Sequence, residues 1–151
     1  MDWSLRKLTA RQIDKQVRPF KNFIVPSIGW IRTIRKALGI NTRQLGEKTG
    51  VSGERIVRIE ADELENKLTM ATLQKMAEAM NCKFVYAFIP DDNLDKIIER
   101  AARDKAKAQM DRISHSMALE DQKTESKELK EQIDILTEEY LRGNLKNIWE
   151  K

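Results

Sequence analysis

The sequence predicts an all-α fold: a small helical bundle followed by one short β-strand and a helical C-terminal extension. Apolar residues recur at three- and four-residue spacing through most of the chain, as on the buried faces of helices. Only 3 prolines and 6 glycines occur in 151 residues, so helices can run far without interruption. A single β-branched and aromatic run at residues 83–89 departs from this pattern and ends at Pro90.

The N-terminal segment, residues 1–26, is expected to form an arm that is partly helical and partly extended. Residues 5–18 predict a helix because apolar and basic positions alternate at helical spacing. Its apolar residues, Leu5, Leu8, Ile13 and Val17, lie among basic ones. Pro19 and Pro26 enclose a short apolar stretch, which is expected to be extended and to pack onto the following domain.

Four helices are expected in a domain spanning residues 27–90. Ser27 is the predicted N-cap of the first, and Gly39 is its predicted stop. Asn41 with Gln44 fits a capping box that opens the second helix. The third and fourth are expected to start after Ser52 and Thr69, and the fourth has an apolar stripe of Leu73, Met76, Ala77 and Met80.

The strand predicted at residues 83–89 needs a partner, because a lone strand leaves its peptide groups unpaired. The simplest partner is the same strand of a second subunit, paired antiparallel across a two-fold axis. We therefore expect a homodimer. Residues 91–151 predict a helical C-terminal extension that begins at Asp91 or Asp92, breaks near residues 120–126 and serves as a partner-binding arm.

Residues 41–60 meet the spacing requirements of a helix-turn-helix. The motif needs a small residue where its two helices pack closely, which is Gly46, and a glycine at the turn, which is Gly50. Val51 supplies the apolar side chain after the turn. The second helix then needs an N-cap and apolar inner positions, and it has Ser52, Ile56 and Ile59.

Residues 28–80 resemble the Xre and phage-repressor helix-turn-helix family. The resemblance is carried by the Leu-Gly-Glu-Lys-Thr-Gly-Val-Ser run at residues 45–52 and by the Arg-Ile-Glu run at residues 58–60. It implies a phage-repressor-like bundle whose second motif helix enters the major groove of double-stranded DNA. Because one monomer reads few base pairs, the expected target is a palindromic operator bound by a dimer.

The expected DNA contacts follow from this docking geometry. Positions near base edges are Gly53, Glu54, Arg55, Val57 and Arg58, and positions near phosphates are Thr42, Arg43 and Ser52. Arg58 can donate to guanine O6 and N7, and Glu54 can accept from a cytosine amino group. Arg55 is equally consistent with a solvated arginine that makes no contact. Gly53 lacks the side chain that is common at its position.

Charge is distributed unevenly along the chain. Residues 1–90 hold 16 Lys and Arg against 9 Asp and Glu, a net charge of +7. Residues 91–151 hold 12 against 15, a net charge of −3. A basic N-terminal part favours a polyanionic partner, whereas the acidic C-terminal part is not expected to lie on DNA.

A narrower resemblance covers residues 28–122. The segments at residues 29–39, 69–79, 82–90 and 115–122, together with the helix-turn-helix, resemble the family called mobile mystery protein A. Members of that family are encoded beside a Fic-domain protein. The resemblance therefore implies an antitoxin that binds and neutralises a Fic-type, AMP-transferring toxin and represses their shared operon. Ser116 and Glu120 resemble the first two positions of the Ser/Thr-x-x-x-Glu-Gly/Asn inhibitory helix of such antitoxins, but Asp121 departs from the third.

Other classes of protein have less support in the sequence. With one cysteine and one histidine, no internal disulfide or Cys/His metal cluster can form, and no nucleotide or nucleophile motif suggests an enzyme or a cofactor. No apolar run predicts a membrane span or a secretion signal, so a cytoplasmic protein is expected. Two alternatives stay open: a stand-alone Xre-family phage or plasmid regulator without a toxin, and a toxin-binding protein whose DNA-binding domain is vestigial.

Overall fold

The computed structural model describes the backbone of residues 2–117 and 126–151 and the side chains of residues 2–113 and 127–151. These residues form α-helices and one 3-10 turn at Arg18–Phe20. The helices are α1 (Trp3–Val17), α2 (Trp30–Ala37), α3 (Thr42–Thr49), α4 (Gly53–Leu64), α5 (Met70–Ala79), α6 (Leu94–Met117), α7 (Ser126–Arg142) and α8 (Lys146–Trp149). The expected helical architecture is therefore confirmed.

Two compact units make up the chain. One comprises Asn22–Ala87 and contains α2 to α5, and it is called the bundle unit below. The other comprises Met1–Lys21 and Phe88–Lys151 and contains α1 with α6 to α8.

The bundle unit is built around one apolar core to which each of its helices contributes. Its buried members are Ile31, Leu45, Ile56, Ile59, Met76 and Met80. The apolar stripe predicted for the fourth helix is confirmed, since Met76 and Met80 are buried and Leu73 packs against them. The helical spacing of the apolar residues therefore determines which side of each helix faces inward.

Short-range polar contacts fix where three of these helices begin. Asn41 and Gln44 form the predicted capping box, with Asn41 Oδ1 accepting from the Gln44 backbone at 2.8 Å and Gln44 Oε1 accepting from the Asn41 backbone at 2.9 Å. Ser52 Oγ caps α4 by accepting from Arg55 N, and Thr69 Oγ1 caps α5 by accepting from Thr72 N. These N-caps agree with the sequence predictions.

The turn between α3 and α4 depends on two glycines. Gly50 has φ +74°, a left-handed conformation that favours glycine. A Cβ on Gly46 would lie 2.4 Å from the carbonyl oxygen of Val51, so any larger residue would push the two helices apart. Both requirements match those inferred from the spacing of the motif.

The start of α2 differs from the prediction. Ser27 is not its N-cap, and no side chain of a neighbouring residue caps the helix. Instead Glu63, on α4, accepts from the backbone of Trp30 at 2.7 Å and of Ile31 at 3.0 Å. Gly29, at φ +82°, makes room for this carboxylate, because a Cβ there would lie 2.7 Å from Glu63 Oε2. A contact between residues more than thirty positions apart leaves no local pattern in the sequence.

The predicted strand at residues 83–89 is absent: the part of the chain that the structure describes contains no β-strand. Residues 82–90 carry no regular secondary structure, and the peptide groups of residues 83–89 make no hydrogen bond to other described residues. The physical reason is the absence of a partner, since a strand exists only as part of a hydrogen-bonded ladder. The apolar stretch before α2 is not such a partner and is largely exposed, although Phe23 stacks on Trp30.

The second unit packs α6 against α1, α7 and α8. Its buried cluster contains Ala102, Leu141, Leu145 and Ile148, with Trp3 and Tyr140 packed against it. The helix predicted at residues 5–18 is present as α1, in which Leu5, Leu8 and Ile13 are exposed and Ala10 is buried.

Polar contacts join α1 to α6 in that orientation. Lys7 pairs with Glu99, and Arg11 pairs with Asp95. Both carboxylate oxygens of Asp14 lie within 3.2 Å of Leu94 N, so Asp14 caps α6 from a different helix. Asp92 instead accepts from Asn93 N and from Arg100, and the first of these contacts is the main reason that its pKa is lowered.

None of the helices in the described residues is long and apolar enough to cross a membrane.

Candidate nucleic-acid interface

Helix α4 has one buried side and one exposed side. Ile56 and Ile59 face the core, and Glu60 is buried beside them. Glu54, Arg55, Val57 and Arg58 are exposed, and Val57 is an apolar side chain that remains 54% accessible to solvent. The structure thus places the side chains predicted to face base edges on the solvent side of this helix.

The first residues of α3 and α4 lie next to each other. A Cβ on Gly53 would be 3.3 Å from both the nitrogen and the Cα of Arg43, and 3.5 Å from Oγ1 of Thr42. Gly53 therefore has a packing role: without a side chain, it allows the start of α4 to approach the start of α3. The positions predicted to contact phosphates and those predicted to contact bases are consequently neighbours.

Both helices direct unpaired N–H groups and the positive end of their macrodipole towards this region. The hydroxyl oxygen of Ser52 accepts from Arg55 N at 3.1 Å, which leaves its proton available for a further acceptor. Thr42 is half-buried. Arg43 is exposed and pairs with Glu47 at 3.5 Å, a surface pair that is easily exchanged for a phosphate contact.

The electrostatic character of the surface is mixed. Its exposed cations are Arg43, Arg55 and Arg58, and its exposed anions are Glu47 and Glu54. A guanidinium group donates in a planar fork that matches phosphates or the O6 and N7 atoms of guanine. A carboxylate accepts from a cytosine amino group and repels phosphates. This combination of groups favours discrimination between sequences over uniform attraction to any polyanion.

A buried ion pair holds α4 at its angle to α2, and the sequence reasoning missed it. Arg35 Nε lies 2.5 Å from Glu60 Oε1 and Arg35 Nη2 lies 3.2 Å from Glu60 Oε2, while Nη1 donates to the carbonyl of Ile40 at 3.0 Å. Both side chains are about nine-tenths buried.

A signal for this pair was present in the sequence. Arg35 follows Ile31 by four residues and Glu60 follows Ile56 by four, so each charge stands on an apolar helical side. Opposite charges on two apolar sides indicate a buried pair. Together with Glu63, which caps α2 from α4, this pair positions the exposed side of α4 without belonging to it.

The residues predicted to inhibit a toxin lie largely outside the described part of the chain. Ser116 belongs to the last turn of α6, but its side chain is among those not described. Glu120 lies outside the described residues altogether.

Comparison with known proteins identifies one domain. Residues 31–86 match the helix-turn-helix family HTH_3, a span that runs from α2 through α5 into the segment that follows. Domains of this family are of the Xre type and occur in DNA-binding regulators. Neither the curated proteins nor the solved structures contain a match to the chain.

Proposed function

We propose that this chain is a sequence-specific transcriptional repressor that inserts the first half of α4 into the major groove of DNA. The observation that supports this proposal best is the exposed set Glu54, Arg55, Val57 and Arg58 on a helix whose opposite side is fixed in the core. Exposed side chains whose polar groups make no hydrogen bond or ion pair among the described residues, on a helix packed into a core, are suited to reading base edges.

Each side chain has a role in this proposal. Arg58 donates to guanine, Glu54 accepts from a cytosine amino group, and Val57 packs against a thymine methyl group. Thr42, Arg43 and Ser52 bind phosphates on either side, helped by the helix N-termini that meet there. Arg55 strengthens binding through its charge. Two copies, joined through residues 83–89, would place two such helices on a palindromic operator.

The finer part of the proposal concerns the partner. The resemblance to mobile mystery protein A supports an antitoxin that neutralises a Fic-type toxin and represses the operon encoding both. In this role Ser116 and Glu120 would belong to the inhibitory segment. The HTH_3 match is equally consistent with a stand-alone regulator that has no toxin partner.

An Arg58→Ala variant tests the DNA-binding role. Binding to the promoter of the chain's own gene, measured by fluorescence anisotropy, should weaken roughly 5- to 150-fold, since one good base contact contributes about 1–3 kcal/mol. Lys130→Ala is the matched control: it removes one positive charge from an exposed position on α7 and should leave affinity nearly unchanged. Equal affinities of the two variants would contradict the proposal.

Native purification tests the antitoxin role. The full-length chain should retain a Fic-domain protein encoded beside it, and Glu120→Gly should release the AMP-transferring activity of that protein while promoter binding stays intact. A neighbourhood without a Fic gene, combined with promoter binding that depends on Arg58, would support the stand-alone regulator. Unchanged inhibition in the Glu120 variant would remove that residue from the mechanism.

A further inference from the structure

Residues 83–91 form a largely exposed segment that is unusually apolar, in which Phe84 and Pro90 are half-buried. Val85 is 64% exposed, Tyr86 68% and Phe88 88%. The peptide groups of residues 83–91 make no hydrogen bond to the rest of the described chain. A contiguous apolar patch of this kind, with its backbone donors and acceptors available, is typical of a surface that another polypeptide covers.

The spacing of the aromatic rings indicates an extended chain. The rings of Phe84 and Tyr86 stack with their centroids 6.2 Å apart and their planes at 21°. Residues two positions apart lie on the same side of an extended backbone. The even positions therefore present Phe84, Tyr86, Phe88 and Pro90 on one side, and the odd positions present Lys83, Val85, Ala87, Ile89 and Asp91 on the other.

We propose that this segment pairs antiparallel with the same segment of a second copy, with the two-fold axis beside Ala87. The proposal rests on the dimer in the proposed function and specifies how that dimer is joined. The ladder would form only when two copies meet, which is consistent with the absence of a strand in the described residues of the single chain.

Charge selects this register. A two-fold axis perpendicular to the plane of the ladder leaves each side chain on the same face of that plane. Residues that lie opposite each other must therefore both be even-numbered or both be odd-numbered. This condition is met only when the axis passes beside a residue. With Ala87 at the axis, Lys83 lies opposite Asp91 of the second copy, at both ends of the ladder. Moving the axis to Tyr86 places Lys83 opposite Ile89, and moving it to Phe88 places Asp91 opposite Val85. Each shift loses both ion pairs.

The proline fixes which residues form the interchain hydrogen bonds. Pro90 has no N–H, so it must occupy a position that does not donate to the ladder. The even residues are then the non-hydrogen-bonded pairs, and the odd residues, including Ala87 at the axis, exchange hydrogen bonds. Side chains approach most closely at non-hydrogen-bonded pairs. In this register, Tyr86 of each copy forms such a pair with Phe88 of the other copy. The most exposed aromatic side chains thereby cover each other.

A cysteine placed at the axis tests the register. In the full-length chain with Cys82→Ser, Ala87→Cys should give a disulfide-linked dimer under mild oxidation without DNA, because opposed Cα atoms in a ladder lie about 5.5 Å apart. Val85→Cys in the same background should not form this disulfide, since the two cysteines at position 85 would be separated by about 14 Å along the strands. The chain with its natural exposed Cys82, five positions from the axis, should also stay unlinked.

A charge swap gives an independent measurement. Lys83→Glu should raise the dimer Kd roughly 2- to 30-fold, and adding Asp91→Lys should restore it, as two exposed ion pairs predict. Equal cross-linking at positions 85 and 87, no cross-linking at 87, or a failure of the swap to restore the dimer would overturn the proposal. Because these assays contain no DNA, their failure is separable from loss of the Arg58-dependent promoter binding that tests the proposed function.

Discussion

At the scale of single residues, Arg35 and Glu60 form a buried ion pair within the bundle unit. The two charges lie where neighbouring side chains are apolar, and each satisfies the other's hydrogen-bonding groups. Removal of two charges from water costs several kcal/mol for each ion, so the pair contributes little net stability. Its disruption is nevertheless costly, because the remaining charge stays buried without compensation.

We expect Glu60→Ala to lower the free energy of unfolding of the bundle unit by about 3–5 kcal/mol, since Arg35 would remain buried and unpaired. Glu47→Ala removes a carboxylate from the exposed pair with Arg43 and should cost about 0–1 kcal/mol. Trp30 fluorescence during urea denaturation reports on this unit when Trp3 and Trp149 are replaced by phenylalanine.

A double variant separates the burial of charge from the loss of packing. Arg35→Met combined with Glu60→Leu should recover most of the stability lost in Glu60→Ala, because apolar side chains of similar volume replace both ions. If the double variant is as unstable as the single one, the hydrogen bond from Arg35 to Ile40 or the shape of the site matters more than charge.

At the scale of helices and turns, the sequence predicted the features that depend on residues close together in the chain. The N-caps Asn41, Ser52 and Thr69 each contact a backbone N–H three residues ahead, and Gly50 adopts its left-handed conformation within one turn. Helical spacing alone predicted that Ile56 and Ile59 are buried and that Glu54, Arg55 and Arg58 are exposed, but it did not predict the burial of Glu60. The residues of the candidate DNA-binding surface could therefore be predicted from the sequence.

Features that depend on distant residues could not be predicted in this way. Glu63 caps α2 and Asp14 caps α6, and in each case the carboxylate comes from another helix. Ion pairs from Lys7 and Arg11 join α1 to α6, whereas Leu5 and Leu8 stay exposed. The predicted strand failed for the same reason: the pattern specifies an extended apolar segment, but a ladder needs a second strand, which the described residues do not supply.

The capping of α6 by Asp14 leads to a prediction for that element. Asp14→Ala should accelerate hydrogen exchange at the Leu94 amide roughly 2- to 30-fold, the equivalent of about 0.5–2 kcal/mol for a lost cap. Asp14→Asn keeps an acceptor oxygen and should exchange at an intermediate rate. Asp2→Ala is the matched control, because it removes the cap of α1 and should leave the Leu94 amide unaffected. Identical exchange in the Asp14 and Asp2 variants would show that the carboxylate does not hold the start of α6.

At the scale of the whole molecule, the separation of charge along the chain bears on function. The net charge of +7 on residues 1–90 favours attraction to DNA, whereas the net charge of −3 on residues 91–151 disfavours contact of the C-terminal helices with it. Long-range attraction of this kind is independent of sequence. The proposed function therefore assigns specificity to Glu54, Val57 and Arg58, whose contacts would depend on the bases.

The dependence of binding on salt separates these two contributions. For the wild-type chain, affinity for its promoter should fall steeply between about 50 and 200 mM salt, because each neutralised phosphate releases counterions. Arg43→Ala should lower the slope of log K against log salt by about 1 and weaken binding to specific and random DNA alike. Arg58→Ala should leave that slope nearly unchanged but reduce the preference for promoter over random DNA. The Lys130→Ala control should alter neither quantity, since α7 lies in the acidic part of the chain. A flat salt titration of the wild type would mean that phosphates contribute little, and a slope lowered by Arg58→Ala alone would assign the phosphate contact to Arg58 instead of Arg43.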